Sequence, residues 1–454
     1  MWSKGRLPLA GASAREPGPG RHLVATERAI FTTSCLSPLN LVVLVRLEGP
    51  AIADLLPAAL GAASERHPLL RARIVGPTGR PRFDVGAATT GPDALAAIPL
   101  RKLHAEDAEH ALAVAEAEMN TPFNPAAGPL ARLTCVCRPA SRTDLILTLH
   151  HAIADGASAA NLIHELLDWC QAGLRGKPAP PLDPVSMPPP LADVLPAGMR
   201  GWRGTRKRLA LAAREGRDEI GYRLGSAGRR RPVPAAGRAV CQPLGLDSTH
   251  TSALISQGRR QRLTLTSILA AALLWQANAV LYEGRPATMR AVIWVDLRPY
   301  LDPAVADDVL GCYISLLRFP IKVDRRRGFT ALATDVQHQI KRASQRGDRI
   351  PAAQLSAAMT RIAVRWPVTR LGTVALSHAA APAIQSAYGP LTVDEVRAFV
   401  SNSRIGAELA AASGLSGGRL WCDLLYLDSD YGETTAVALG DGLLSLLRDF
   451  GGQA

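Results

Sequence analysis

No two cysteines stand in C-x-x-C spacing, although the chain holds seven: Cys35, Cys135, Cys137, Cys170, Cys241, Cys312 and Cys422. An odd set without close pairs argues against a disulfide framework and a zinc ribbon, and favours small buried thiols in a reducing compartment. Aromatic residues are few, at 5%, which reads as a bias of the source genome. There is no Walker loop, and no G-x-G-x-x-G follows a strand. Gly and Pro, 39 and 34 residues, show no period, so neither collagen nor global disorder fits. Near the start, the only apolar patch is Leu7–Leu9, too short for a signal peptide. A cytoplasmic protein is expected, with a peripheral position at the inner membrane surface as a further expectation.

Two stretches lack Asp, Glu, Lys and Arg for long enough to span a bilayer, Leu263–Tyr282 and Leu371–Val393. The second is broken by Gly372, Pro382, Gly389 and Pro390. The first carries Thr264, Thr266, Ser267, Gln276 and Asn278 and reads as a core helix capped near Thr266 or Ser267.

What is present is a chain of 454 residues, 47% apolar and 20% charged, enough for two to three domain-sized units or two lobes sharing a core. The net charge of +13 is concentrated. From Arg200 to Arg238 there are twelve Lys/Arg against Glu215, Asp218 and Glu219, a net +9. Such a patch attracts anionic lipid, an acidic protein or nucleic acid. Nucleic acid is not expected, because only Trp202 and Tyr222 are there to stack on bases. A solvated linker is the plain alternative. The cluster Arg229, Arg230 and Arg231 is expected to recruit donor or membrane and to take no part in chemistry.

Strands and helices mix throughout, giving an α/β class. Residues 1–20 are expected to be a disordered lead, and 21–176 a first lobe. The first lobe holds strands at Leu39–Leu47, Arg71–Val75, Leu130–Cys137 and Asp144–His150, with helices at Pro50–His67, Ala105–Met119 and Ala157–Ala172, the last stopped by Gly173. Residues 177–238 form an interlobe linker, first Pro-rich and then basic. In the basic part Trp202, Leu209, Ala213, Gly216, Ile220 and Leu224 make a weak apolar stripe, and four glycines count against one continuous helix. Residues 239–454 form a second lobe, with strands at Thr288–Val295, Thr373–Ser377, Val393–Val400 and Arg419–Tyr426. Its helices fall at Thr249–Gly258, Leu263–Tyr282, Gly328–Arg346 and Gly432–Phe450.

The stretch that carries chemistry is Leu147-Thr-Leu-His-His-Ala-Ile-Ala-Asp-Gly156. A buried strand delivers two histidines at its end, where neighbouring side chains point to opposite sides. One faces the interior and the other can face a cleft as a general base, since an imidazole titrates near neutral pH. Asp155 can anchor the loop through an arginine, and Gly156 permits a tight turn into the next helix. Two rivals stand beside this. His151 and Asp155 at i and i+4 would be metal ligands on a helix, but a strand precedes them and no third ligand is near, so no metal is expected. A purely structural pair of core histidines is the other. Gly414-Leu-Ser-Gly-Gly418 matches the nucleophile-elbow pattern, but it leads into a strand and reads as a turn.

His150-His151-x-x-x-Asp155-Gly156 at a strand end resembles the CoA-dependent acyltransferase superfamily, which includes chloramphenicol acetyltransferase, peptide-synthetase condensation domains and polyketide-associated acyltransferases. Further stretches are similar: Arg66-His-Pro-Leu-Leu-Arg71, Trp294-Val-Asp-Leu-Arg-Pro-Tyr300 followed by Leu310-Gly311, and Tyr388-Gly-Pro-Leu391. The resemblance implies two chloramphenicol-acetyltransferase-like lobes in a V with a channel between them. It implies that His151 is the base, that Asp155 is structural and paired with Arg298, and that His150 supports the loop. Where many relatives carry Ser-Asn-Leu-Gly after a second-lobe strand, this chain has Ser377-His378-Ala379. Ser377 and His378 are therefore candidate substrate contacts.

The implied function is a free-standing acyltransferase moving an acyl group from CoA or a carrier-protein thioester to a hydroxyl of a lipid, polyketide or related acceptor. No cofactor is bound; acyl-CoA or a phosphopantetheinyl donor is a substrate. An acyl carrier protein or an anionic membrane surface is the expected partner, and a monomer the expected state. An amide-forming condensation enzyme and a catalytically silent recruitment protein are the alternatives.

Overall fold

The computed structural model describes residues 20–77, 79–86, 97–178, 180, 183–225, 233–365, 370–379 and 384–453. The expected lead, apart from Gly20, and the Arg229–Arg231 cluster lie outside these residues.

The first half of the chain runs α1 (Ala25–Ser34), β1 (Asn40–Glu48), α2 (Leu56–Arg66), β2 (Ala72–Val75), β3 (Arg82–Val85), β4 (Leu100–His104) and α3 (Ala108–Asn120). It continues with β5 (Ala131–Arg138), β6 (Arg142–His150) and α4 (Gly156–Leu174). The second half runs α5 (Gly201–Gly225), β7 (Ala239–Gln242), β8 (Gly245–Leu246), α6 (Ser248–Arg260), α7 (Leu265–Tyr282), β9 (Ala287–Asp296), β10 (Ile314–Val323), α8 (Phe329–Arg346) and α9 (Arg349–Arg365). It ends with β11 (Gly372–Ala379), β12 (Ala387–Tyr388), β13 (Leu391–Val400), β14 (Ala407–Ser416), β15 (Arg419–Leu427) and α10 (Glu433–Gly452).

Two sheets organise these elements. The first has the order β12-β13-β1-β6-β5-β4, and the second β10-β9-β11-β14-β15-β7. β1 and β6 are buried along nearly their whole length, and their centres, Leu41–Val45 and Leu145–Leu147, are apolar on both faces because both faces are covered. On one face Leu41, Val43, Val45, Leu145 and Leu147 pack with Leu56 and Leu60 of α2 and Leu162 and Leu166 of α4. On the other, Val42, Leu44 and Ile146 join Ala111 and Met119 of α3, and this core continues into Trp421 and Leu425 of β15. The halves are also interleaved: β13, late in the chain, pairs antiparallel with β1 over Leu41–Glu48. The sheets thus do not divide at residue 239, and the first is completed by residues 387–400.

Local chemistry sets several boundaries differently from the sequence expectation. α2 begins at Leu56 rather than Pro50, with Pro57 in its first turn, where a missing N–H costs nothing. α7 is capped by Thr264, whose Oγ1 accepts from the Ser267 N–H at 3.2 Å, two residues before the expected cap. It is the one helix among the described residues long and apolar enough to cross a membrane, and most of it is buried in the second core. α4 runs through Gly173 to Leu174; the residue that turns left-handed is Gly176, at φ +62°. Gly173 instead lies against Leu55, where a Cβ would come within 3.0 Å of that side chain. α5 is one helix of 25 residues. Gly417 and Gly418 form the β14–β15 hairpin turn, both at positive φ, so the elbow-like pattern is a turn. All seven cysteines are free.

Candidate active site

β6 is the central element of the site. Its last residue, His150, sits opposite Asn40 of β1, and its N–H donates to the Leu130 carbonyl at 2.9 Å. The His150 Nδ1 accepts from the Ala152 N–H at 3.1 Å. Its proton is therefore on Nε2, which donates to Ser34 Oγ at 3.0 Å, and Ser34 donates in turn to the Phe31 carbonyl. Phe123 packs edge-on to the ring at 6.1 Å, with the Arg132 guanidinium 4.2 Å from the Phe123 ring centre. This histidine braces the turn. Burial and the neighbouring imidazole hold its pKa down at about 3, so it is neutral.

His151 has the opposite tautomer. Its Nδ1 lies 2.7 Å from the Ala154 carbonyl, which can only accept, so Nδ1 carries the proton and Nε2 carries the lone pair. Nε2 has no partner among the described residues. His151 as a residue is 7% exposed. Burial pulls its pKa down, opposed by the Ala154 hydrogen bond and by the Asp155 charge. A neutral imidazole with a fixed, unshared lone pair is what a general base requires.

Asp155 does not orient that imidazole. It is the N-cap of α4: Oδ1 accepts from the Ser158 N–H at 3.0 Å. Oδ2 accepts from Arg298 Nη1 at 2.6 Å and from the Tyr313 N–H at 2.8 Å. Arg298 is 1% exposed and donates through Nη2 to Ser158 Oγ at 2.8 Å. Ser158 Oγ donates to the Gly311 carbonyl and accepts the Gly311 N–H. A second carboxylate, Asp296, lies 3.3 Å from Arg298. The cluster joins the turn after β6 to the strand ends of β9 and β10, and so fixes His151 relative to the second sheet.

Gly156 is not needed for the reason its sequence suggests. It is the first residue of α4, its φ is not positive, and a Cβ there would meet nothing within 4 Å. The backbone would accept another residue, and the space in front of it is open. Ser377 and His378 lie just before the end of β11 in the second sheet, where the His378 Nδ1 lies 3.0 Å from Ser413 Oγ and Ser413 also donates to the Ser377 carbonyl. Burial lowers the His378 pKa. No hydrogen bond among the described residues connects this pair with His150, His151 or Asp155. Reasoning from sequence missed Ser34, Ser158 and Tyr313. Only Ser158 left a signal, an Asp-x-x-Ser spacing at a helix start.

This two-sheet α/β architecture, with a histidine pair closing a central strand at the seam, is the two-lobed chloramphenicol-acetyltransferase-like condensation fold. Polyketide synthase associated protein 5 from Mycobacterium tuberculosis superposes with a TM-score of 0.67 at 19% identity, over 95% of this chain and 100% of that one. A trichothecene 15-O-acetyltransferase from Fusarium sporotrichioides gives 0.74 at 12% identity, over 95% of each. Residues 36–186 match the condensation domain, and residues 235–409 the phthiocerol/phthiodiolone dimycocerosyl transferase C-terminus. The chain is related to condensation domains through its first half and to phthiocerol/phthiodiolone dimycocerosyl transferases through its second. It is also 26% identical, over 67% of its length, to the phosphinothricin tripeptide synthetase PhsC of Streptomyces viridochromogenes, of which it spans 27%.

Proposed function

We propose that the protein transfers an acyl group from a phosphopantetheinyl thioester, on CoA or a carrier protein, to a hydroxyl of a lipid or polyketide-like acceptor. The observation that carries this is the His151 tautomer, with Nδ1–H tied to Ala154 and Nε2 left unshared. The acceptor hydroxyl gives its proton to Nε2 as its oxygen attacks the thioester carbonyl. When the tetrahedral intermediate collapses, the C–S bond breaks and the thiolate takes that proton back from Nε2. The enzyme returns to its starting state and no acyl-enzyme forms. Holding both substrates against one base supplies much of the rate, and the Asp155–Arg298 cluster keeps the base in place.

A hydroxyl acceptor is supported by the phthiocerol/phthiodiolone transferase match and by the O-acetyltransferase structure. Similarity to a tripeptide synthetase supports an amine acceptor as the second reading. Incubating the protein with acyl-CoAs of graded length, and separately with acyl-loaded carrier protein, against paired alcohols and amines would decide by mass spectrometry of the products. Ester formation is expected. Amide alone would establish the second reading, and no transfer from either donor would reject acyl transfer.

A further inference from the structure

The apolar residues of α5 face the wrong way for a core helix. At 100° per residue, Trp202, Leu209, Ala213 and Ile220 fall within about 40° of one another, and this is the side turned to solvent. Trp202 is 70% exposed, Leu209 66% and Ile220 61%. The opposite side holds Gly204, Leu211 and Tyr222, which are buried. The charges divide in the same sense. Glu215 binds Arg318 of β10 at 2.7 Å, Glu219 binds Arg290 of β9 at 2.8 Å, and Arg290 stacks on Tyr222 at 4.2 Å. Two of the helix's three acids, Glu215 and Glu219, thus hold it to the second sheet. Arg203, Arg206, Lys207 and Arg217 are exposed and have no ion pair among the described residues.

We infer that α5 is an interfacial helix that lays its outer face on an anionic lipid surface. A stripe of Trp, Leu and Ile flanked by arginines, on a helix of low overall hydrophobicity, is what a helix lying in the headgroup plane presents. Trp prefers that depth, where its ring is half immersed and its N–H stays wet. The unpaired cations match lipid phosphates, each strengthening attachment about fivefold near an anionic surface. An acidic protein partner would satisfy the cations equally, but three large apolar side chains on one exposed helical line, flanked by arginines, fit a fluid apolar phase with anionic headgroups better. This attachment is independent of the chemistry at His151.

Sedimentation of the full chain with phosphatidylcholine vesicles, and with vesicles containing 30% phosphatidylglycerol, tests it. Binding is expected only to the anionic vesicles, falling steeply as salt rises and the screening length shrinks from about 10 Å at 0.1 M to 3 Å at 1 M. Tryptophan emission should shift to the blue on binding, and the shift should disappear in Trp202→Phe. Replacing Arg206 and Arg217 with Gln should weaken binding about 25-fold. The triple change of Trp202, Leu209 and Ile220 to Ser should abolish it with the melting temperature retained. The wild-type protein alone can overturn the inference, by ignoring anionic vesicles or by binding neutral ones equally well. Tight binding to an acidic carrier protein, with no response to phosphatidylglycerol, would also overturn it and give the face to a protein.

Discussion

Arg298 donates to Asp155 at 2.6 Å across 143 residues of sequence, with neither side chain exposed to water. The pair is the lock between the histidine turn and the second sheet. Asp155 has a second duty as the cap of α4, so one carboxylate sets both the start of a helix and the position of a lobe.

Breaking that lock should therefore cost more than a surface ion pair would. Asp155→Asn leaves a buried guanidinium with only Asp296 for charge, and removing one member of a buried pair costs about 3–5 kcal/mol. The substitution should lower the denaturation midpoint and reduce activity together. The same change with stability untouched and activity lost would place Asp155 in the chemistry instead.

His151→Ala should leave the melting temperature within a few degrees and lower kcat/KM by about 10²–10⁴-fold, the range of a general base. His150→Ala should act differently, because it empties the brace between Ala152 and Ser34. Its effect should appear in stability first. Full activity in His151→Ala would remove the assignment.

Gly156→Ala tests whether the open space before α4 is used. With no left-handed φ and nothing for a Cβ to strike, alanine should stabilise the fold, by roughly 0.5–1 kcal/mol. A more stable protein with a raised KM would mean that the substrate occupies this space. Unchanged kinetics would mean that it does not.

The histidine pair also sets a pH dependence. Both pKa values are below the unfolded value near 6.5, that of His150 at about 3. The unfolded chain thus binds protons that the native state refuses, and stability rises with pH over that interval. For His150 it is fully present above about pH 6.5 and declines as pH falls toward 3, at up to about 1.4 kcal/mol per pH unit, and His151 adds to the slope in the same direction below pH 6.5. Urea midpoints between pH 7 and 4.5 should show this slope, and His150→Gln should flatten it. By the same displacement, the acidic limb of kcat/KM should lie below pH 6.5.

Much of this was legible because β1 and β6 are centred on the apolar segments Leu41–Val45 and Leu145–Leu147 and the histidine motif stands at the end of one of them. β10 escaped notice because Pro320 lies within it. The strand tolerates proline as the edge of its sheet, which no local signal announces. β14 is rich in Ala, Gly and Ser, and so lacks the branched residues that mark strands. α5 misled by turning Glu215 and Glu219 inward to Arg318 and Arg290 and exposing its apolar stripe, a tertiary arrangement that periodicity alone assigns the other way round. Asp155 and Arg298 were each visible in sequence; Tyr313, joined to them through its backbone N–H, had no side-chain signature to give.

The interleaving of β13 with β1 also bears on how the molecule is made. A ribosome releases β1 some three hundred and fifty residues before the strand that covers its flank, since Leu41 waits for Val400. Until then a Val- and Leu-rich edge stands open, the kind of edge that recruits stray strands from other chains. Expressed alone, the amino-terminal half would keep that edge permanently and should aggregate. Supplying residues 384–454 in trans would not suffice, because β14 and β15 in that piece belong to the other sheet. The two sheets are completed within one short stretch of chain, residues 391–427.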